Sequence, residues 1–211
     1  MRSLLGLTAL VWVLAAAGAS AEEWKTVAEG EVTIRVRERA DVPGGREVVA
    51  EGELAASIRD VQTALRDHDS FRYWMPYVTE SRVVTPLPNG RVTYTRLDFP
   101  VISNRDYVLR VVDEELLAED GTGLFRQRWT AEGKTLPERE GVVRLYRNEG
   151  SWHFTPKGED RVAFIYRFTV EPGGSIPGFL AGLGEKGAVM DTVRAVEKRA
   201  KKLGTARASA R

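Results

Sequence analysis

The sequence predicts an α+β fold in which a curved antiparallel sheet wraps around one long C-terminal helix. Three observations carry this expectation. After residue 77 the hydrophobic period is two and stays so to residue 170, broken at Pro88-Asn89-Gly90, Asp120-Gly121 and Lys157-Gly158. From 176 to about 202 the period changes, and Phe179, Leu183, Met190, Val193 and Ala200 fall on one helical stripe. The strand before that helix presents Val162, Phe164, Tyr166, Phe168 and Val170 as an unbroken bulky row. Such a row needs a deep surface to face, and the terminal helix is the long partner left for it.

Taken in order, residues 1–21 read as a secretory signal. Arg2 supplies the positive start and residues 4–17 the apolar stretch; Ala19-Ser20-Ala21 offers the small residues of a cleavage site. The apolar stretch is shorter than the roughly 20 residues that span a bilayer. An exported chain starting at Glu22, periplasmic or secreted, is therefore expected. Residues 22–203 form its one domain and 204–211 a basic, flexible tail. Residues 31–39 alternate Val32, Ile34 and Val36 with charged partners, Pro43-Gly44-Gly45 turns the chain, and 47–54 return as the second strand of a hairpin. Ser57, with Asp60 three residues on, caps a short helix over 57–66. Strands are predicted at 81–85, 91–98, 105–113, 123–130, 142–147, 151–155 and 161–170. Their short connections favour antiparallel neighbours.

Composition removes several functions. The 211 residues include no cysteine, which excludes disulfides, thiolate metal sites and Cys nucleophiles. Two histidines, His68 and His153, cannot build a three-His metal site. A net charge of +1 argues against a nucleic-acid surface. Gly182-Leu183-Gly184-Glu185-Lys186-Gly187 spells a dinucleotide fingerprint, but it lies inside the terminal helix pattern and not between a strand and a helix. Gly173-Gly174-Ser175-Ile176-Pro177 falls short of a nucleophile elbow because Pro177 stands at the final glycine, so Ser175 reads as an N-cap. Asp67-His68-Asp69 reads as a solvated helix end, and His153, between Trp152 and Phe154, as an exposed strand residue. No pair of carboxylates stands out as an acid/base couple. No catalytic residue, cofactor or metal is predicted.

Four motifs in order resemble the StAR-related lipid-transfer (START) domains: Trp74-Met75-Pro76-Tyr77-Val78, Leu97-Asp98-Phe99-Pro100 running into Ser103-Asn104-Arg105-Asp106-Tyr107-Val108, Glu140-Gly141-Val142-Val143-Arg144, and Val170-Glu171-Pro172-Gly173-Gly174-Ser175-Ile176-Pro177. The likeness runs from about Trp24 to about Lys202. It implies a helix-grip fold whose internal hydrophobic tunnel holds one lipid. Arg105-Asp106 matches a paired motif of the family and reads as an ion pair fixing the strand entry.

With the Phe164, Tyr166, Phe168 row taken as inward, the family pattern places Val92 and Tyr94, then Tyr107, Leu109 and Val111, on the same concave face. Phe125, Gln127 and Trp129 turn inward by their own alternation, as do Trp152 and Phe154. The helix adds Phe179, Leu183 and Met190. For each, the alternative to lining a tunnel is packing in a solid core. Some sterol-carrying members bury an acidic and a basic side chain, and these positions fall on Val92 and Val111. That departure implies a more apolar cargo, with Tyr94, Tyr107, Tyr166 and Gln127 as polar handles.

The expected function is non-enzymatic binding or transfer of a hydrophobic small molecule: a sterol, carotenoid, fatty acid or phospholipid. The alternatives are a polyketide or steroid cyclase- or hydrolase-like enzyme, for which Arg96 and Arg105 are the nearest ionisable groups, and an interaction module with a filled tunnel. A monomer is expected. The basic side of the terminal helix (Lys186, Arg194, Lys198, Arg199, Lys201, Lys202) suits transient contact with an anionic membrane surface, with Gly173 to Gly187 as the opening segment or merely a closely packed one.

Overall fold

The alternation read along the chain becomes ten strands of one sheet. The computed structural model describes residues 23–41, 44–100, 102–117, 122–171, 173 and 178–210, with side chains in the last stretch described from 186 onward. The expected signal, the turns at Pro43 and at Asp120-Gly121, and Ser175 and Pro177 lie outside the described residues. So do the side chains of Phe179 and Leu183.

The strands are β1 (Lys25–Ala28), β2 (Val32–Glu38), β3 (Arg46–Leu54), β4 (Val78–Leu87), β5 (Gly90–Leu97), β6 (Arg105–Leu117), β7 (Gly123–Ala131), β8 (Val143–Arg144), β9 (Asn148–Pro156) and β10 (Val162–Val170). Among the described residues two helices complete the fold, α1 (Ile58–Arg66) and α2 (Gly178–Ser209), with a 3-10 turn at His68–Tyr73. The sheet order is β1-β2-β3-β10-β9-β7-β6-β5-β4. β10 sits between β3 and β9, with Tyr166 opposite Ala50 on one side and Trp152 on the other. This pairing joins the N-terminal strands to the rest of the sheet.

Two elements differ from expectation. β1 pairs with β2 at the sheet edge, and its four residues are too few to show a period. The strand expected at 142–147 shrinks to Val143–Arg144, which lies parallel to the start of β6. The reason is local. β7 reaches only to Leu109 of β6, so Arg105 and Asp106 leave an open position that β8 fills before the chain turns into β9.

The main core lies between the concave face and the two helices. It brings Ile34, Val48, Phe125, Phe154 and Phe164 from the sheet against Val61 and Leu65 of α1 and Val193 and Val196 of α2. In α1, Ser57 accepts a hydrogen bond from the Asp60 amide, which is the predicted cap. In α2 the buried positions are Val189, Val193, Val196 and Ala200, spaced four, three and four apart. The Gly182 to Gly187 stretch lies inside α2, so no strand-to-helix phosphate loop exists there.

The expected tail also differs: residues 204–209 continue α2. Arg207 donates from both terminal nitrogens to Asp60, at 2.8 and 3.0 Å, and that carboxylate is buried. Gly204 permits the approach, because a Cβ there would stand 2.9 Å from Asp60 Oδ2. The end of α2 is thus tied to the start of α1. Arg207→Ala should lower stability by about 1–2 kcal/mol, a few degrees of Tm for a chain of this size. Truncation after Leu203 should cost at least as much. An unaltered melting point in both variants would show that the last turns of α2 contribute nothing.

Candidate functional site

The concave face is set by register, since residues paired across neighbouring strands share a face. On β10, Phe164, Tyr166 and Phe168 point inward while Ile165 and Arg167 are exposed. Their partners carry the assignment on: Trp152 and Phe154 on β9, then Phe125, Gln127 and Trp129 on β7, then Tyr107, Leu109 and Val111 on β6. The aromatic rings form one continuous column. Trp152 stacks on Tyr166 with ring centroids 3.8 Å apart and planes within 5°. Phe154 lies 5.4 Å from Trp152, and Phe168 4.9 Å from Tyr166. Gly150, opposite Phe168, makes room for Trp129, whose Cζ2 would stand 2.4 Å from any Cβ at that position.

The column is not packed solid throughout. Tyr107 and Tyr166 lie so deep that burial raises both phenol pKa values above their ordinary range. Both nevertheless keep accessible surface and are only half-buried. Packing around these two side chains is therefore incomplete. Met190 of α2 is half-buried against the same core and also borders a cleft of about 540 Å³ with Ala28, Val32, Lys186 and Arg194.

Val92 and Tyr94 do not belong to this face. The β5–β6 register sets Thr93 opposite Leu109 and Thr95 opposite Tyr107, so the inward residues of β5 are Arg91, Thr93 and Thr95. Val92 and Tyr94 pack on the outer side with Val108, Val84, Leu87 and Leu136 in a second, smaller core. There the Tyr94 hydroxyl donates to Asp106 Oδ2 at 3.1 Å, and burial, then the Asp106 charge, pushes its pKa up to about 12. Arg144 grips Asp106 from Nε and one terminal nitrogen, at 2.6 and 3.0 Å, and donates to the carbonyls of Gly133, Leu136 and Pro137. Asp106 therefore pairs with Arg144 and not with Arg105, because consecutive strand residues face opposite ways. Arg105 is buried on the inner side, donating to the Ser103 and Gly173 carbonyls. Arg96 pairs with Asp98.

The same register brings ionisable groups onto the inner face. Arg91 donates to Asp113 Oδ2 at 3.1 Å and to the Leu65 carbonyl at 2.8 Å, and Gln127 donates to Asp113 Oδ1 at 2.9 Å. Arg66 of α1 reaches the same carboxylate at 3.0 Å. Asp113 continues the Tyr107, Leu109, Val111 row and was legible as inward by that alternation. Arg91 was not, because the bulky Val92 and Tyr94 beside it mimic the core face. His68 is also buried: its Nε2 lies 3.0 Å from the Thr95 hydroxyl, which is in turn a hydrogen-bond partner of Tyr107. His153 is half-buried on the outer face.

A grip of one long helix by a curved sheet, with a polar arc at one end of an aromatic interior, defines a class of small-molecule-binding folds. The profile of the family described as "Polyketide cyclase / dehydrase and lipid transport" matches residues 54–197. The STAR-related lipid transfer protein of Xanthomonas axonopodis (fragment 25-204) superposes with a TM-score of 0.72 at 32% identity, over 84% of this chain and 98% of that one. Human StAR-related lipid transfer protein 5 gives a TM-score of 0.74 at 20% identity over 88% and 89%, a likeness of fold. The uncharacterized protein PA1579 of Pseudomonas aeruginosa is 28% identical over 96% of this chain and its own whole length. The chain belongs to the polyketide cyclase / dehydrase and lipid transport family, with the START helix-grip fold. This fold supports binding of a hydrophobic small molecule.

His68 makes stability depend on pH. Burial, then the neighbouring Arg91 charge, lowers its pKa from 6.5 to about 4, against an opposing hydrogen bond to the Tyr94 carbonyl. Unfolded chains take up this proton below about pH 6.5 and folded ones only below about pH 4. Between those values the unfolded state binds more protons, so stability falls as pH drops, by about 3 kcal/mol in full. Above pH 6.5 the effect is absent. Denaturant melts from pH 7 to pH 4 should show this slope in the native chain and a flatter one in His68→Gln. Parallel slopes would place the acid sensitivity elsewhere.

Proposed function

We propose that the mature chain is an exported, non-enzymatic carrier of a hydrophobic small molecule. One observation carries this reading: Tyr107 and Tyr166 are deep in the molecule and yet accessible, so the aromatic interior has room for a guest. Moving apolar surface from water into such a space yields about 25 cal/mol per Å², enough to hold a lipid without covalent chemistry. Two similar proteins, the Xanthomonas axonopodis and the human one, are StAR-related lipid transfer proteins, which supports it. Two of the inner ionisable groups are paired, Arg91 with Asp113, and His68 is hydrogen-bonded to the Thr95 hydroxyl, which fits holding better than turnover. A cyclase-like enzyme remains the second reading on one observation, the His68, Thr95, Tyr107 chain reaching the interior from the 3-10 turn.

Export rests on the signal-like residues 1–21, and among the described residues no helix is long and apolar enough to cross a membrane. Transient contact of the basic side of α2 with anionic headgroups belongs to the same proposal; Lys186 and Arg194 flank the cleft beside α2, together with Glu29, Glu31 and Asp191. A monomer suffices for this work.

Native mass spectrometry of the exported protein should detect one lipid per chain. Tyr166→Ala should weaken its retention more than it lowers Tm, since a residue lining a space costs less than the about 3–5 kcal/mol of a solid-core aromatic. A large loss of stability with unchanged lipid would mean a filled interior, and conversion of a polyketide-like substrate would favour the enzyme. Amino-terminal sequencing of the exported material should begin at Glu22; a retained Met1 in a membrane fraction would overturn export.

A further inference from the structure

The cleft beside α2 carries charge of both signs on facing walls. One wall is the Glu29-Gly30-Glu31 turn that joins β1 to β2, with Gly30 at φ +139°. The other is α2, where Lys186, Met190 and Arg194 follow one another at four-residue spacing on one face. The two bases therefore bracket Met190, about 6 Å along the helix axis to either side. Glu29, Glu31, Lys186 and Arg194 are exposed, and none of their side chains forms an ion pair or hydrogen bond among the described residues. Acids and bases thus border one cleft of about 540 Å³, the volume of a small-molecule site, without closing on one another. Asp191 adds a third carboxylate, which accepts a hydrogen bond from the Tyr77 hydroxyl at 3.1 Å. On the helix wall a Cβ at Gly187 would meet nothing within 4 Å, so the space there is open.

The floor between these walls is apolar. Val32 and Met190 both belong to the main core. Val32 pairs with Gly52, and Gly52 with Phe164, so the floor is continuous with the aromatic interior. A simple anion in the cleft would meet three carboxylates, and a simple cation two bases. A group carrying both signs is attracted to each wall when correctly turned. An apolar floor below such walls suits a charged group with hydrocarbon attached better than a free one.

We propose that this cleft seats the zwitterionic head of a lipid, its amine against Glu29 and Glu31 and its phosphate against Lys186 and Arg194. The seat lies at the surface and goes beyond the carrier reading, since it does not depend on what the interior holds.

The test follows backbone amide shifts of the isotope-labelled mature chain at neutral pH. The probes are dihexanoylphosphatidylcholine, dihexanoylphosphatidylglycerol and three fragments: choline, phosphate and glycerophosphocholine. The choline lipid should move the amides of 29–32 and 186–194 and bind there about five-fold tighter than the glycerol lipid, the worth of one exposed ion pair. Glycerophosphocholine should move the same amides more weakly, and choline or phosphate alone should leave them in place. Glu29→Gln/Glu31→Gln should erase the preference for the choline lipid. Gly187→Phe should fill the cleft and abolish these shifts with no loss of Tm. A glycerol lipid that binds as tightly, a preference that survives Glu29→Gln/Glu31→Gln, or cleft shifts that survive Gly187→Phe would each overturn the seat. Glycerophosphocholine binding as tightly as the choline lipid would make the occupant a free zwitterion and overturn the lipid assignment. Cleft shifts that depend on protein concentration before any probe is added would give the cleft to a second copy of the chain. Unmoved cleft amides overturn the seat as well, and if the amides of β9 and β10 move instead, the carrier reading stands without it.

Discussion

The structure depends on the pairing of β10 with β3. Nine consecutive residue pairs, Val162 with Leu54 through Val170 with Arg46, join the N-terminal strands to a strand that comes more than a hundred residues later. Because β10 also pairs along its full length with β9, it is covered on both edges. Its alternating row can then be committed to one face with no slippage, since a shift by one residue would turn Phe164, Tyr166 and Phe168 out to water and Ile165 and Arg167 in. Every inward assignment on β9, β7 and β6 follows from this register by cross-strand pairing. So does the depth of the space between sheet and helices. Contacts so distant in sequence make the sheet slow to assemble, with the hairpin and α1 the local elements available first.

Ionic pairs divide the labour on the two faces of β5 and β6. Asp106 and Arg144 are both almost wholly buried, and together with Tyr94 they pin the 131–146 segment over the outer side of the sheet. A buried pair of this kind adds little net stability over apolar packing, but losing one partner strands the other in low dielectric. It acts as a register device. On the inner face, Arg91 with Asp113 does the same for α1, whose Leu65 carbonyl and Arg66 guanidinium are tied to the pair. His68 remains neutral beside this charge.

That arrangement gives the interior two characters. The β9, β10 and β7 side is an apolar column of stacked rings. The β5 and β6 side is polar, with Thr93, Thr95, Tyr107, the Arg91–Asp113 pair and the buried Arg105. In sites of this kind shape and apolar area supply affinity, and a few placed polar groups supply orientation. The outer face of the same sheet is laced by Arg and Glu, as where Arg37 and Arg167 converge on Glu47. It needs no apolar cover.

The sequence by itself determined what depends on one element at a time. The period of two along β4 to β7, β9 and β10, the long helix after them, the Ser57 cap and the inward rows of β7, β9 and β10 are local properties, and each stands in the structure as read. Tertiary structure alone decided what depends on a neighbour. Val92 and Tyr94 alternate as a core row should, and they do face a core, but the β5–β6 register makes it the outer one. His68 is buried because the 3-10 turn lies over Thr95, a residue 27 positions later. Arg144 meets Asp106 and Arg207 meets Asp60 across 38 and 147 residues. Alternation tells which residues share a face; only the register between strands tells what that face meets.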